Sequence, residues 1–187
     1  MIKSAPFLTG KFLLAMPGIG DPRFERSVIA MCQHDEDGAL GIGIGRIMPR
    51  MGLHALFDQF GIEPRGVPDV PIHAGGPVEP QRGFVLHSLD WGGQESMQVS
   101  TLWGLTATID ILRVIGTDKG PKKWLVALGY AGWGPGQLDG EMLRHGWHIA
   151  DANDALLYET PVEDRWAAAF QAQGIDPRLL AVDSGHA

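Results

Sequence analysis

Arg46 and His87 are the two residues whose chemistry could build a site for a small anion or for proton transfer, and each lies near the end of a strand-like run. A guanidinium can hold a carboxylate or phosphate through two parallel hydrogen bonds, and an imidazole can transfer a proton near neutral pH. Two glycine-rich turns could bring them together, one containing Gly75 and Gly76 and the other covering residues 130–136. If Arg46 and His87 meet at these turns, we expect an enzyme or a small-anion-binding protein.

No complete catalytic or cofactor motif accompanies those two residues. The glycine runs at residues 41–45 and 132–136 lack the last glycine of a dinucleotide-binding fingerprint, and no Lys-Ser or Lys-Thr pair follows either run to complete a phosphate-binding loop. A Gly-x-Ser-x-Gly nucleophile motif is also missing, and His145 and His148 lack the third ligand of a zinc site. We therefore expect no cofactor and no bound metal.

Aromatic residues beside glycine suggest a contact surface instead. Trp133, like Trp91 and Trp147, stands next to a glycine, and Tyr130 lies in the same glycine tract as Trp133. Aromatic side chains are enriched where proteins contact their partners. We interpret the chain as a non-catalytic binding or regulatory protein whose partner is another protein or a small molecule. The enzyme or anion-binding interpretation with Arg46 and His87 is the alternative.

Composition and charge disfavour several classes of function. The 187 residues fit one domain, expected to span residues 1–187, and the net charge is −7 with no basic half. Binding of duplex DNA depends on Lys and Arg side chains that neutralise phosphates, so direct nucleic-acid binding is not expected. No apolar stretch approaches the ~18 residues of a membrane-spanning helix, and the single Cys32 lies in an apolar run, which is typical of a reducing compartment. We expect a cytoplasmic protein with no membrane partner.

Short apolar runs interrupted by glycine and proline predict a sheet-rich fold that must position these residues. Strand-like segments cover residues 11–16, 28–33, 39–47, 71–74, 83–88, 99–102 and 124–130. Helices are predicted at residues 53–60, 106–116 and 137–144, and a last helix is predicted to begin at a capping box of Thr160 and Glu163 and to end at Gly174. Because strands come mainly early and helices mainly late, the fold class is α+β with a mixed or antiparallel sheet.

Three ordered signatures resemble the bacterial YqgE/AlgH family. They lie within residues 10–29, 75–87 and 129–138, and the third reads Gly-Tyr-Ala-Gly-Trp-Gly-Pro-Gly-Gln-Leu. The likeness continues to Trp147 and to residues 163–166, so it covers nearly the whole chain. Gly45-Arg46-Ile47 departs from the family pattern, which usually has Asn-Arg-Pro there.

The resemblance implies a fold but no reaction. It implies a single compact domain with a bifurcated, pseudo-barrel-like sheet and peripheral short helices, in a cytoplasmic bacterial protein. Members of the family are mostly uncharacterised, and the transcriptional-regulator label attached to the family rests on indirect association. Because the net charge is unfavourable for holding phosphates, we expect any effect on gene expression to be indirect.

Overall fold

Ten strands and four α-helices make up the described part of the chain. The computed structural model describes residues 7–93 and 95–180. The strands are β1 (Lys11–Ala15), β2 (Val28–Asp35), β3 (Gly38–Gly43), β4 (Ile47–Gly52), β5 (Pro71–Ala74), β6 (Val78–His87), β7 (Met97–Gln98), β8 (Gly104–Thr106), β9 (Trp124–Trp133) and β10 (Trp147–Asp151). The helices are α1 (Leu53–Gln59), α2 (Ile109–Gly116), α3 (Gln137–Leu143) and α4 (Arg165–Ala172), with a π-helical turn at Ala155–Glu159 and 3₁₀ turns at Val162–Asp164 and Pro177–Leu179.

The long strand β9 joins two branches of one curled sheet. One edge of β9 pairs antiparallel with β6. The opposite edge is divided, because residues 127–128 pair in parallel with β5 and residues 131–133 pair antiparallel with β3. From β3 one branch continues through β2 and β1 to β10, while β6 continues through β8 to β7, and β4 pairs with β5. This bifurcated, mostly antiparallel sheet curls into a half-barrel surrounded by short helices, which confirms the predicted α+β class.

Glycine is required where β5 ends against β9. The Gly75 amide donates a hydrogen bond to the Leu128 carbonyl at 2.8 Å, so the two main chains lie side by side. A Cβ atom on Gly75 would overlap the Gly129 carbonyl oxygen. A Cβ atom on Gly76, whose φ is +154°, would overlap the Tyr130 carbonyl group. The lack of a side chain at both positions therefore allows the two main chains to pack closely.

Alternate residues of the strands supply separate hydrophobic layers. In β1, Phe12 and Leu14 pack in one buried cluster with Phe170 of α4, whereas Leu13 lies in another cluster with Trp133. A third cluster contains the buried sides of α1 and α2. Successive side chains of a strand point to opposite faces of its sheet, so both faces of β1 are apolar and must be covered. Helix α4 covers one face, and Leu138 of α3 packs on the other.

Several element boundaries differ from the sequence predictions. Thr160 does not cap the last helix, since its hydroxyl donates to the Ala155 carbonyl at 2.9 Å and α4 begins only at Arg165. The strand predicted at residues 99–102 is wrong, because β7 and β8 lie on either side of that segment. The predicted strand 39–47 is interrupted between β3 and β4. Strand β10 was not predicted, because it is held by pairing with β1, which is distant in the sequence.

Candidate functional site

A cleft of about 520 Å³ lies beside β9, where the first half of this strand meets β5. Residues of β5 and β9 form one side, and residues 157–165 form the other. Cavities of this size hold small molecules. We name it the Arg165 cleft, and its lining residues are Ile47, Val70, Pro71, His73, Lys122, Lys123, Trp124, Leu125, Val126, Leu157, Tyr158, Glu159, Val162, Glu163 and Arg165.

Arg165 is the buried cation of this cleft, with only 4% of the residue exposed. Its Nη1 atom donates to the Ile44 carbonyl and, at 2.9 Å, to Nε2 of His73. Its Nη2 atom donates to the Thr160 carbonyl at 3.2 Å. Its Nε atom is buried and has no hydrogen-bond partner among the described residues. The partners of the guanidinium are therefore two backbone carbonyls and one imidazole nitrogen.

His73 supports Arg165 as a neutral acceptor. Because Arg165 can only donate, Nε2 of His73 must accept, which places the imidazole proton on Nδ1. Nδ1 then donates to the Val126 carbonyl at 3.3 Å. Burial, together with the neighbouring Arg165 charge, lowers the pKa of His73 to about 4. The imidazole is therefore uncharged at neutral pH.

The charge of Arg165 is not balanced by an ion pair. No carboxylate lies within 4.0 Å of its guanidinium among residues 7–93 and 95–180. Burial lowers the pKa of Arg165 to about 10, partly offset by Glu163, so the group still carries its charge at neutral pH. A buried charge without a counter-ion costs several kcal/mol, on the order of the desolvation penalty of one ion.

Tyr158 supplies a second unsatisfied polar group in the same cleft. Its hydroxyl oxygen is buried and has no hydrogen-bond partner in the described structure. Burial, reinforced by Asp154 and Asp90, raises the pKa of the phenol, so the hydroxyl keeps its proton and can donate. Buried polar groups are normally paired, and an unpaired one calls for an explanation. Two such groups in one cleft therefore identify a candidate binding site.

Arg46 is occupied by backbone carbonyls rather than held free for an anion. Its guanidinium donates to the carbonyls of Pro22, Arg23 and Glu25, so it holds the loop between β1 and β2 in place. Arg46 is exposed and lines a different cavity, of about 870 Å³, which His87 does not line.

His87 is buried in a network of its own. Nδ1 donates to the Ser88 carbonyl at 2.9 Å, and Nε2 lies 2.8 Å from the Thr106 hydroxyl, which in turn lies 2.7 Å from the Ser96 hydroxyl. Burial lowers the pKa of His87, with the Ser88 carbonyl and Asp90 opposing the effect. Arg46 and His87 share no hydrogen-bond partner among the described residues, and each is held by its own neighbours.

Trp133 is a packed residue rather than an open contact surface, with 7% of it exposed. Its Nε1 atom donates to Oε2 of Glu141 at 3.0 Å, and Trp147 donates to the same oxygen at 2.9 Å. Tyr130 is half-buried and packs edge-on against Phe84 at a centroid distance of 5.8 Å. Trp133, Trp147 and Tyr130 are thus held by contacts within the protein around β9.

Replacing Glu141 with leucine is expected to destabilise the protein by roughly 2–4 kcal/mol, because two buried indole N–H groups lose their acceptor at once. Glu141→Gln keeps an amide oxygen at this position and is the matched control, expected to lose less than about half as much. Urea unfolding followed by near-UV circular dichroism measures both. Equal stabilities of the two variants would show that the shared acceptor contributes little.

None of the candidate binding residues predicted from the sequence lines the Arg165 cleft. Arg165 entered only through the resemblance, and Tyr158 was not singled out. A signal was present in the helical spacing, since Val162, Arg165 and Ala169 recur at intervals of three and four residues. An arginine within an apolar stripe is turned towards the core, where it must find buried partners.

The described residues contain neither a metal-binding cluster nor a membrane-spanning helix. No three His, Cys, Asp or Glu side chains among residues 7–93 and 95–180 lie close enough to hold a metal ion. In the same part of the chain, no helix is long and apolar enough to cross a membrane. Cys32 is free and buried, and burial raises the pKa of its thiol, which makes it a poor nucleophile at neutral pH.

Known proteins are similar to this chain in sequence over nearly their whole length. The model of a family described as AlgH-like matches residues 12–178. A protein of Rhizorhabdus wittichii named UPF0301 protein is 59% identical over 180 residues, covering 96% of this chain and 97% of that relative. A relative of the same name from Sphingopyxis alaskensis is 58% identical, covering 97% of both chains.

Two solved structures are similar to the described fold. The solution structure of the AlgH protein from Pseudomonas aeruginosa superposes with a TM-score of 0.78 at 35% identity and covers 100% of both chains. A crystal structure of a protein from Corynebacterium diphtheriae has a TM-score of 0.77 at 19% identity, covering 97% of this chain and 95% of that one, and supports the fold alone. The matched residues and the shared fold show that this chain belongs to the AlgH-like family.

Proposed function

We propose that this protein is a non-catalytic binding protein that takes a small anion in the Arg165 cleft. One observation carries the proposal: the Arg165 guanidinium is buried, charged and without a carboxylate partner among the described residues, and its Nε atom has no hydrogen-bond acceptor. A bound anion would supply both the missing charge and the missing acceptor. Charge-assisted hydrogen bonds of this kind are about twice as strong as neutral ones.

The side chains of the cleft are suited to binding a ligand rather than to catalysing a proton transfer. Proton transfer near neutral pH needs a group that titrates there. His73 has its pKa lowered to about 4, and Tyr158 has its pKa raised by burial. The proton positions of both side chains are thus fixed at neutral pH, and both act as hydrogen-bonding groups.

A regulatory role in the cytoplasm fits this binding function. We propose that the anion acts as a signal and that any effect on gene expression passes through a partner protein, because the net charge of −7 opposes direct contact with phosphates. The free Cys32, buried in β2, fits a reducing compartment.

The test is a thermal-shift panel of sodium salts at constant ionic strength, with acetate, benzoate, phosphate and chloride as the anions. An anion present at ten times its Kd should stabilise the protein by about 1.4 kcal/mol, which corresponds to roughly 3–6 °C in Tm. The shift should disappear in Arg165→Gln and persist in Arg113→Gln, which removes an exposed arginine. Equal shifts in the two variants, or no shift with any anion, would contradict the proposal.

A further inference from the structure

The hydrogen bonds that Arg165 already makes limit how a ligand can bind to it. A guanidinium has five N–H groups, of which two belong to each Nη atom and one to Nε. The two N–H groups of Nη1 are used by Ile44 and His73, and one of Nη2 is used by Thr160. One N–H of Nη2 and the N–H of Nε are left, and these two atoms form one edge of the planar group. That edge matches the two oxygens of a carboxylate.

The charges of the cleft limit the ligand to a single negative charge. Lys122, Lys123 and Arg165 are cationic, Glu159 and Glu163 are anionic, and His73 is neutral. Among the three cations of the lining only Arg165 is buried, so a ligand has one buried positive charge to neutralise. The ammonium group of Lys123 is already held by Asp154 at 2.7 Å and by Glu159 at 3.5 Å. A doubly charged phosphate would leave an excess negative charge beside these carboxylates.

The remaining walls are apolar. Val70, Trp124, Leu157 and Val162 contribute aliphatic and aromatic surface, and the volume of about 520 Å³ exceeds what a carboxylate group alone would fill. Burial of an apolar group against such walls is favourable in proportion to the area removed from water. The cleft therefore suits a ligand that has an apolar body attached to its acidic group.

We propose that the Arg165 cleft binds a monocarboxylate with a compact apolar body, such as an aryl-substituted or branched short-chain acid. Its carboxylate lies on the free Nε and Nη2 edge of Arg165, and one of its oxygens accepts the hydroxyl proton of Tyr158. This inference rests on the proposed anion-binding function. Both Nε of Arg165 and the hydroxyl of Tyr158 are shielded from solvent, so a local opening of the cleft accompanies entry of the acid.

The experiment follows the Arg165 Nε–H resonance in ¹H–¹⁵N NMR spectra of the full chain, assigned by its loss in Arg165→Lys. The probes are phenylacetate, acetate, phenyl phosphate and the uncharged phenylacetamide. Phenylacetate should move this resonance downfield and bind about tenfold or more tightly than acetate, because only phenylacetate carries the apolar ring. Phenylacetamide should leave the resonance in place.

Tyr158→Phe tests the second contact without removing any hydrogen bond of the described fold. It should weaken phenylacetate binding by roughly tenfold, the usual effect of losing one hydrogen bond to a charged group. Arg113→Lys is the control and should bind phenylacetate like the native chain. Unchanged affinity in Tyr158→Phe would overturn the placement of the carboxylate between Arg165 and Tyr158.

The outcomes separate the ligand class from the proposed function. Tighter binding of phenyl phosphate than of phenylacetate at the Arg165 resonance would overturn the monocarboxylate inference and leave anion binding intact. Equal affinities for acetate and phenylacetate would overturn the inference that the ligand has an apolar body. If none of the anions moves the Arg165 resonance, both the ligand class and the proposed function are wrong.

Discussion

A single methyl group at Gly75 is expected to destabilise the protein by roughly 3–5 kcal/mol, a large part of the ~5–15 kcal/mol that holds a typical domain together. The added Cβ would overlap the Gly129 carbonyl oxygen and lie 3.1 Å from the Leu128 carbonyl oxygen. Backbone atoms cannot move aside as a flexible side chain can, so β5 would have to separate from β9. The φ of Gly75 is not in the left-handed region, so the whole effect comes from steric overlap.

Thermal and urea unfolding of Gly75→Ala measure the loss, expected as a fall in Tm of roughly 10 °C or more. Gly92→Ala is the matched control, because a Cβ on Gly92 meets nothing within 4 Å. Its stability should stay within about 0.5 kcal/mol of the native chain. Similar stability of the two variants would mean that the junction of β5 and β9 is not closely packed.

The stability of the protein is expected to fall by roughly 3 kcal/mol between pH 6.5 and pH 4 because of His73 alone. Burial and the neighbouring Arg165 lower the pKa of His73 from 6.5 to about 4 in the folded state. In this interval the unfolded chain binds a proton at His73 and the folded chain does not. The stabilisation is therefore complete above pH 6.5 and is lost progressively as the pH falls towards 4.

Urea unfolding at several pH values tests this expectation in the native chain and in His73→Gln. Glutamine keeps an oxygen that can accept from Arg165 but does not titrate, so the variant should lose most of the pH dependence in this range. A smaller slope of the same sign should persist, because burial also lowers the pKa of His87. Identical slopes in the two proteins would show that His73 does not titrate differently in the folded and unfolded states.

Local patterns in the sequence predicted the elements whose stabilisation is local. The apolar run at residues 124–130 predicted most of β9, and the spacing of Leu53, Leu56 and Phe57 predicted α1. Strand β10 was not predicted because its five residues have no distinct hydrophobic pattern. The strand depends on pairing with β1. The predicted cap at Thr160 failed for a related reason, since its hydroxyl bonds to the preceding π-helical turn.

The candidate site was harder to predict than the fold, and two arginines show why. Arg46 stands beside a glycine run, which made it prominent in the sequence, yet the carbonyls of the β1–β2 loop take up its guanidinium. Arg165 has no local motif around it. Its importance comes from contacts with Ile44 and His73, which lie 121 and 92 residues away in the chain. No periodicity within a helix encodes partners at such separations.

The pairing of β1 with β10 has a consequence for how the chain folds during synthesis. Lys11 and Asp151 are partners in this pair and lie 140 residues apart. One edge of β1 therefore stays open until the ribosome has released most of the polypeptide, whereas the β2–β3 hairpin can form much earlier. Contacts with such a large sequence separation slow folding, so closure of β10 onto β1 is expected to be a late step in the maturation of the nascent chain.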